Sequence, residues 1–90
     1  MILMSVNHKV SDYEVWKKLF DGDESRRRSF GIRTIKLMRN IEDSNELHFL
    51  MEAPSKQSFL DMMNDPSVSD MGNRAGVIGT PIVSFLEEIS

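Results

Sequence analysis

The chain has no cysteine. Disulfides and thiolate-held metals are excluded, and with them the usual staples of small secreted domains. Histidine is scarce: His8 and His48 are the two, and isolated histidines do not make a metal centre. No serine stands in a nucleophile-elbow pattern, so no Ser-based triad can be assembled. Residues 72–79 are glycine-rich but lack the lysine and the spacing of a phosphate loop. Basic charge is not in excess. The formal net charge is −3 and the pI is near 5.3, which argues against nucleic acid as a partner. The single basic run, Arg26-Arg27-Arg28, reads as a solvated helix end rather than a phosphate site. No basic leader precedes a long apolar run, and no apolar run is long enough to span a bilayer. The expectation is a cytoplasmic protein with no membrane partner.

Ninety residues imply one domain covering positions 1–90. A domain of this size buries only about two-thirds of the surface its unfolded chain exposes. A second copy of the chain is the cheapest additional cover.

What is present begins with an alternating stretch. Ile2, Met4 and Val6 share one face of a strand, and Leu3, Ser5 and Asn7 the other. Ser11 lies three residues before Glu14, a capping-box spacing that predicts a helix start. Tyr13, Trp16, Leu19 and Phe20 then recur at helical intervals, with Lys17 and Lys18 on the wet side. The helix is predicted from residue 12 to about 21, with a loose continuation toward Arg28 past Gly22.

Residues 30–39 predict a second strand, with Ile32, Thr34, Lys36 and Met38 on one face and Arg33, Ile35, Leu37 and Arg39 on the other. Residues 40–45 are polar and carry the turn composition Asp43-Ser44-Asn45. Residues 46–53 predict a third strand. Its face of Leu47, Phe49, Met51 and Ala53 is wholly apolar, and its face of His48, Leu50 and Glu52 is mixed. Ser55 is a plausible cap for a second helix carrying Phe59, Leu60, Met62 and Met63. Asp65-Pro66 opens a further helical turn with Val68 and Met71. Gly76 and Gly79 bracket a loop, and residues 80–89 predict the last strand, with Pro81 near its start.

The order β-α-β-β-α-β is that of an α+β, ferredoxin-like fold. Right-handed crossovers put both helices on one face of a four-stranded antiparallel sheet. The other face is left bare. It is too apolar for comfortable exposure and too polar for a plain core, so it implies an interface with a second copy, which could enclose a semi-polar pocket.

A further pattern runs through His8-Lys9-Val10, Asp12-Tyr13, Trp16-Lys17 and Phe20-Asp21, Gly31 in the second strand, and Arg74-Ala75-Gly76-Val77-Ile78-Gly79-Thr80-Pro81. In these residues the chain resembles the dimeric α+β barrel superfamily, which includes antibiotic-biosynthesis-monooxygenase-like and polyketide cyclase-like small domains. The resemblance implies a homodimer whose sheets form a barrel, with a ligand pocket between sheet and helices in each subunit. Members range from cofactor-independent oxygenation of aromatic polyketides to isomerisation, haem degradation and no known activity. Family monooxygenases often place an Asn on the first strand and a Trp nearby, which Asn7 and Trp16 match in type. Haem-degrading members need a histidine on or near the second helix, and residues 55–74 contain none. That counts against haem, and no cofactor is expected.

The candidate catalytic residues are His48 and Asn7, both on the bare face. A histidine near its ordinary pKa suits proton transfer from a phenol or enol, and the Asn amide can orient an oxygen. The plainer readings are an interface histidine and a strand-end asparagine that ties down the following turn. The candidate substrate-binding residues are Trp16, Tyr13, Leu50, Glu52 and Arg33. Aromatic residues on a helical stripe are commonly core, and Arg33 with Glu52 reads also as a cross-strand pair. His8, at the helix-facing end of the first strand, is expected to bond to the helix or a nearby loop. The functional expectation is a small homodimeric protein that binds or transforms a small, mostly apolar molecule, aromatic ones included, without a cofactor, monooxygenase- or cyclase-like if it is an enzyme. The alternative is a non-catalytic dimeric ligand-binding or interaction module.

Overall fold

The computed structural model describes residues 1–89. Its elements are β1 (Ile2–Val10), α1 (Tyr13–Gly22), α2 (Glu24–Ser29), β2 (Arg33–Arg39), β3 (Glu46–Ala53), α3 (Lys56–Met63), α4 (Pro66–Arg74) and β4 (Val77–Leu86). The four strands form one sheet in the order β2-β3-β1-β4. Every neighbouring pair is antiparallel. The expected α+β, ferredoxin-like arrangement is therefore present, with the helices on one face. No described helix is long and apolar enough to cross a membrane.

The alternation read in β1 and β3 sets the core. Met4, Val6 and Val10 are buried, as are Leu47, Phe49, Met51 and Ala53. They join Trp16 and Phe20 from α1, Phe59 and Met62 from α3, Ile32 and Ala75 in one cluster under the helices.

Several local expectations are corrected. Asp12, not Ser11, caps α1: its side chain accepts from the N–H groups of Glu14 and Val15. Ser11 lies in the bend between β1 and α1, and its N–H donates to the Gly76 carbonyl at 2.9 Å. The first helix does not fade toward Arg28. It ends at Gly22, the Asp23 N–H turns back onto the Phe20 and Asp21 carbonyls, and α2 starts afresh. Phe30 closes α2, so Gly31 precedes β2 rather than lying in it.

Two irregularities re-aim side chains. In β2 the register slips between Thr34 and Lys36, so Thr34 pairs with Met51 on the helix side while Lys36 pairs with Leu50 on the bare side. The expected common face of Thr34 and Lys36 is thus broken by one surplus residue, Ile35. In β4 the strand starts at Val77 rather than Thr80. Asn7 pairs with Ile82 and Lys9 with Ile78, so His8 alone stands opposite Gly79, Thr80 and Pro81. Gly79 supplies a φ of 71° for this bulge, a conformation other residues adopt only with strain.

Candidate functional site

Between the helix side of the sheet and the helices lies a partly open cleft of about 320 Å³. Its floor comes from β1, β3 and β4, through Val6, His8, Phe49 and Val83. Its walls come from α1 with Trp16 and Phe20, and from α3 and α4 with Phe59, Met62 and Met71. The helical stripe read from Trp16 and Phe20 is what turns these rings inward. The thioethers give the far wall a deformable surface.

His8 is a polar group set among these rings, and Asp23 and Arg27 line the same cleft. Its ring meets Trp16 edge-on at 5.6 Å and Phe49 edge-on at 5.4 Å. Trp16 in turn stacks on Phe20 at 4.7 Å between centroids. The Nε2 atom of His8 is buried and has no hydrogen-bond partner. Burial pushes the imidazole below its ordinary pKa of 6.5, so it is neutral at physiological pH. A neutral imidazole with a vacant nitrogen can accept a proton or a hydrogen bond from whatever enters. The bulge opposite His8 supplies Gly79 and Pro81 to the same cleft.

The residues singled out from sequence divide between the two faces. Trp16 lines the cleft. Asn7 and His48 lie on the bare face, where they are direct cross-strand partners. His48 Nε2 is 3.1 Å from Glu46 Oε2. Asn40 first, and His48 next, hold the Glu46 carboxyl below the usual carboxylate range. Leu50 pairs with Ser5, and Glu52 with Leu3, on that same bare face. Arg33 joins Glu52 there through an ion pair of 2.7 Å. Tyr13 stands at the start of α1, outside the cleft lining, tilted against Trp16 and covered by the Arg39 guanidinium at 4.4 Å. The structure therefore brings Asn7, His48, Leu50, Glu52 and Arg33 together, but with the sheet between them and the cleft.

Sequence reasoning gave His8 a structural role. Two signals point to the cleft: His8 continues the parity of Met4 and Val6, and Trp16 stands about one helical turn into the element that covers it. That its Nε2 is buried without a partner depends on how the helices and β4 pack around it, which strand parity does not report. Among the described residues, no three His, Asp or Glu side chains gather where they could hold a metal ion.

This cleft in this sheet defines a class: the chain has the fold of the antibiotic-biosynthesis-monooxygenase-like proteins. It is similar over its whole length to a crystal structure described as an antibiotic biosynthesis monooxygenase, with a TM-score of 0.77, 9% identity and 100% of both chains covered. It is also similar to SnoaB, a cofactor-independent oxygenase from Streptomyces nogalater, at a TM-score of 0.70 and 14% identity, covering 99% of this chain and 93% of that one. Rv0793 from Mycobacterium tuberculosis matches at a TM-score of 0.68 and 11% identity, covering 100% and 97%. No protein-family model and no curated protein sequence matches the chain.

Proposed function

We propose that this protein binds a small, mostly apolar molecule in the cleft between sheet and helices, and that His8 moves a proton on it without a cofactor. The observation that carries the reading is the buried, unpartnered Nε2 of His8 in a wall of Trp16, Phe20 and Phe49. A ligand with a weakly acidic O–H or C–H fits there. The His8 nitrogen takes the proton, the ligand keeps the electron pair as an enolate or phenolate, and the aromatic wall excludes water from it. The likeness to SnoaB, described as a cofactor-independent oxygenase, supports a fold suited to small-molecule chemistry.

The same reading makes the protein a homodimer through the bare sheet face. Ile78, Ile82, Leu86 and Met38 are all exposed on it in the single chain. An apolar surface of this kind is usually covered. In such a dimer Asn7 and His48 belong to the interface, with Leu50, Glu52 and Arg33 beside them.

The test is hydrogen exchange at the acidic α-carbon of 2-tetralone in D₂O, followed by NMR. Wild type accelerates the exchange, His8→Asn abolishes the acceleration, and His48→Ala keeps it. Equal rates for wild type and His8→Asn would remove His8 as the proton acceptor. Acceleration lost in His48→Ala alone would move the chemistry to the bare face.

A further inference from the structure

Arg27 is the charged side chain that the core encloses, with 7% of its surface exposed. It comes from the run Arg26-Arg27-Arg28, which composition reads as a solvated helix end. Arg28 behaves that way, exposed and paired with Glu24 at 3.0 Å, while Arg26 is half-buried and pairs with Asp23 at 3.2 Å. Arg27 turns inward instead and lines the cleft. Its guanidinium carbon lies 3.8 Å above the Phe20 ring, and Nη1 donates to the Phe20 carbonyl at 2.9 Å.

No carboxylate among the described residues lies within 4.0 Å of it. The acids nearest in sequence are already committed: Asp21 to Lys17, Asp23 to Arg26, Glu24 to Arg28. Burial lowers the Arg27 pKa, against the opposing pull of Asp23, Glu24 and Asp21. Arginine nevertheless stays charged in proteins, with five N–H donors. A buried charge without a paired counter-ion is expensive. A ring face and one carbonyl return part of that cost. The planar fork of a guanidinium is best completed by a carboxylate.

We propose that the cleft takes a ligand whose apolar, ring-sized body lies on the Trp16–Phe20 wall and whose carboxylate pairs with Arg27. This rests on the cleft being the ligand site. It adds a chemical class to that site: an aromatic or similarly compact carboxylic acid, with Arg27 setting the specificity and His8 at the other end of the ring wall. The chain of contacts from His8 through Trp16 and Phe20 to Arg27 is continuous. Arg27 also borders a second, more polar hollow with Arg28 and Arg33. There each of those arginines already holds a glutamate.

The experiment is calorimetric titration of the full chain at neutral pH and low salt with 2-naphthoate and with its neutral counterpart, 2-naphthamide. Wild type is expected to bind the carboxylate about tenfold more tightly than the amide, the size of one charge-assisted contact. Arg27→Gln removes that preference while binding of the amide is retained, and Arg28→Gln keeps the preference. Equal wild-type affinities, a preference that survives Arg27→Gln, or one lost in Arg28→Gln each overturn the proposal. If the amide binds and the carboxylate is not preferred, the cleft remains a ligand site and only the anion is wrong. If neither compound binds wild type, the cleft reading and this inference fall together. Should Arg27→Gln not fold, the wild-type affinities and Arg28→Gln decide.

Discussion

Ser11 and Gly76 clamp the end of β1 to the start of β4: the Ser11 N–H donates to the Gly76 carbonyl at 2.9 Å, and a Cβ on Gly76 would stand 2.2 Å from Ser11 Oγ. Gly76 also has a φ of 76°, where a side chain is strained whatever the space. Gly76→Ala is expected to cost about 1–2 kcal/mol for the backbone alone, plus whatever the contact adds. Adding Ser11→Gly recovers the contact part and not the backbone part. Denaturant melts of the two variants separate them, and full recovery in the double variant would show the backbone cost to be negligible.

The cap of α1 gives a second, smaller prediction. Asp12→Ala leaves the Glu14 and Val15 N–H groups without their acceptor and is expected to cost about 1 kcal/mol. Ser11→Ala removes no cap and is expected to cost less. The same melts check the order, and a larger loss from Ser11→Ala would return the cap to the position that the capping-box spacing suggests.

Trp16 is 2% exposed and touches His8, Tyr13, Phe20 and Phe49. Trp16→Ala is expected to cost about 3–5 kcal/mol, as for other large aromatic deletions from a core. In a chain this short that approaches the whole stability. Trp16→Phe keeps the stack on Phe20 and should remain folded by circular dichroism. The same substitution is expected to weaken 2-naphthamide binding in calorimetry, because it removes part of the ring wall.

His8 links stability to pH with a definite sign. Its folded pKa lies below the unfolded value of 6.5, so the unfolded chain binds the extra proton first as pH falls. This group's contribution is therefore fully present above about pH 7.5 and declines as pH drops through 6.5 toward the lower folded value. His8→Gln removes that component. Chemical-denaturation midpoints measured from pH 8 to pH 5.5 should fall more steeply for wild type than for the variant, and parallel curves would contradict the buried, neutral assignment.

Ile82 is 66% exposed in the single chain and pairs with Asn7 on the bare face. Ile82→Asp should leave the subunit's circular dichroism unchanged and convert a sedimenting dimer to a monomer. A wild-type protein that sediments as a monomer at micromolar concentration would leave that face uncovered and withdraw the interface role given to His48.

Much of the architecture is legible in the residues. Period-two alternation in β1 and β3 fixes which side chains face the helices, and the stripe of Trp16 and Phe20 fixes how α1 lies on them. What parity cannot carry is an insertion. The surplus residue at Ile35 turns Thr34 and Lys36 to opposite sides, and nothing in the sequence of β2 marks it. The three residues opposite His8 do carry marks, a glycine and a proline, but those read equally as a loop before the strand. The site is less legible for a related reason. Parity placed His8 under the helices and His48 outside them, yet open space depends on how α3 and α4 settle over β4. Arg27 was hidden by its own composition, because one arginine of three in a row turning inward follows from the packing of α2 rather than from charge.

The extra length in β4 has a bearing on assembly as well. That strand runs along an outer margin of the sheet, where unpaired amides would welcome any extended peptide. A bulge containing proline there offers an incomplete, twisted template that disfavours pairing of chains margin to margin along it. Self-association is thereby steered away from open-ended growth.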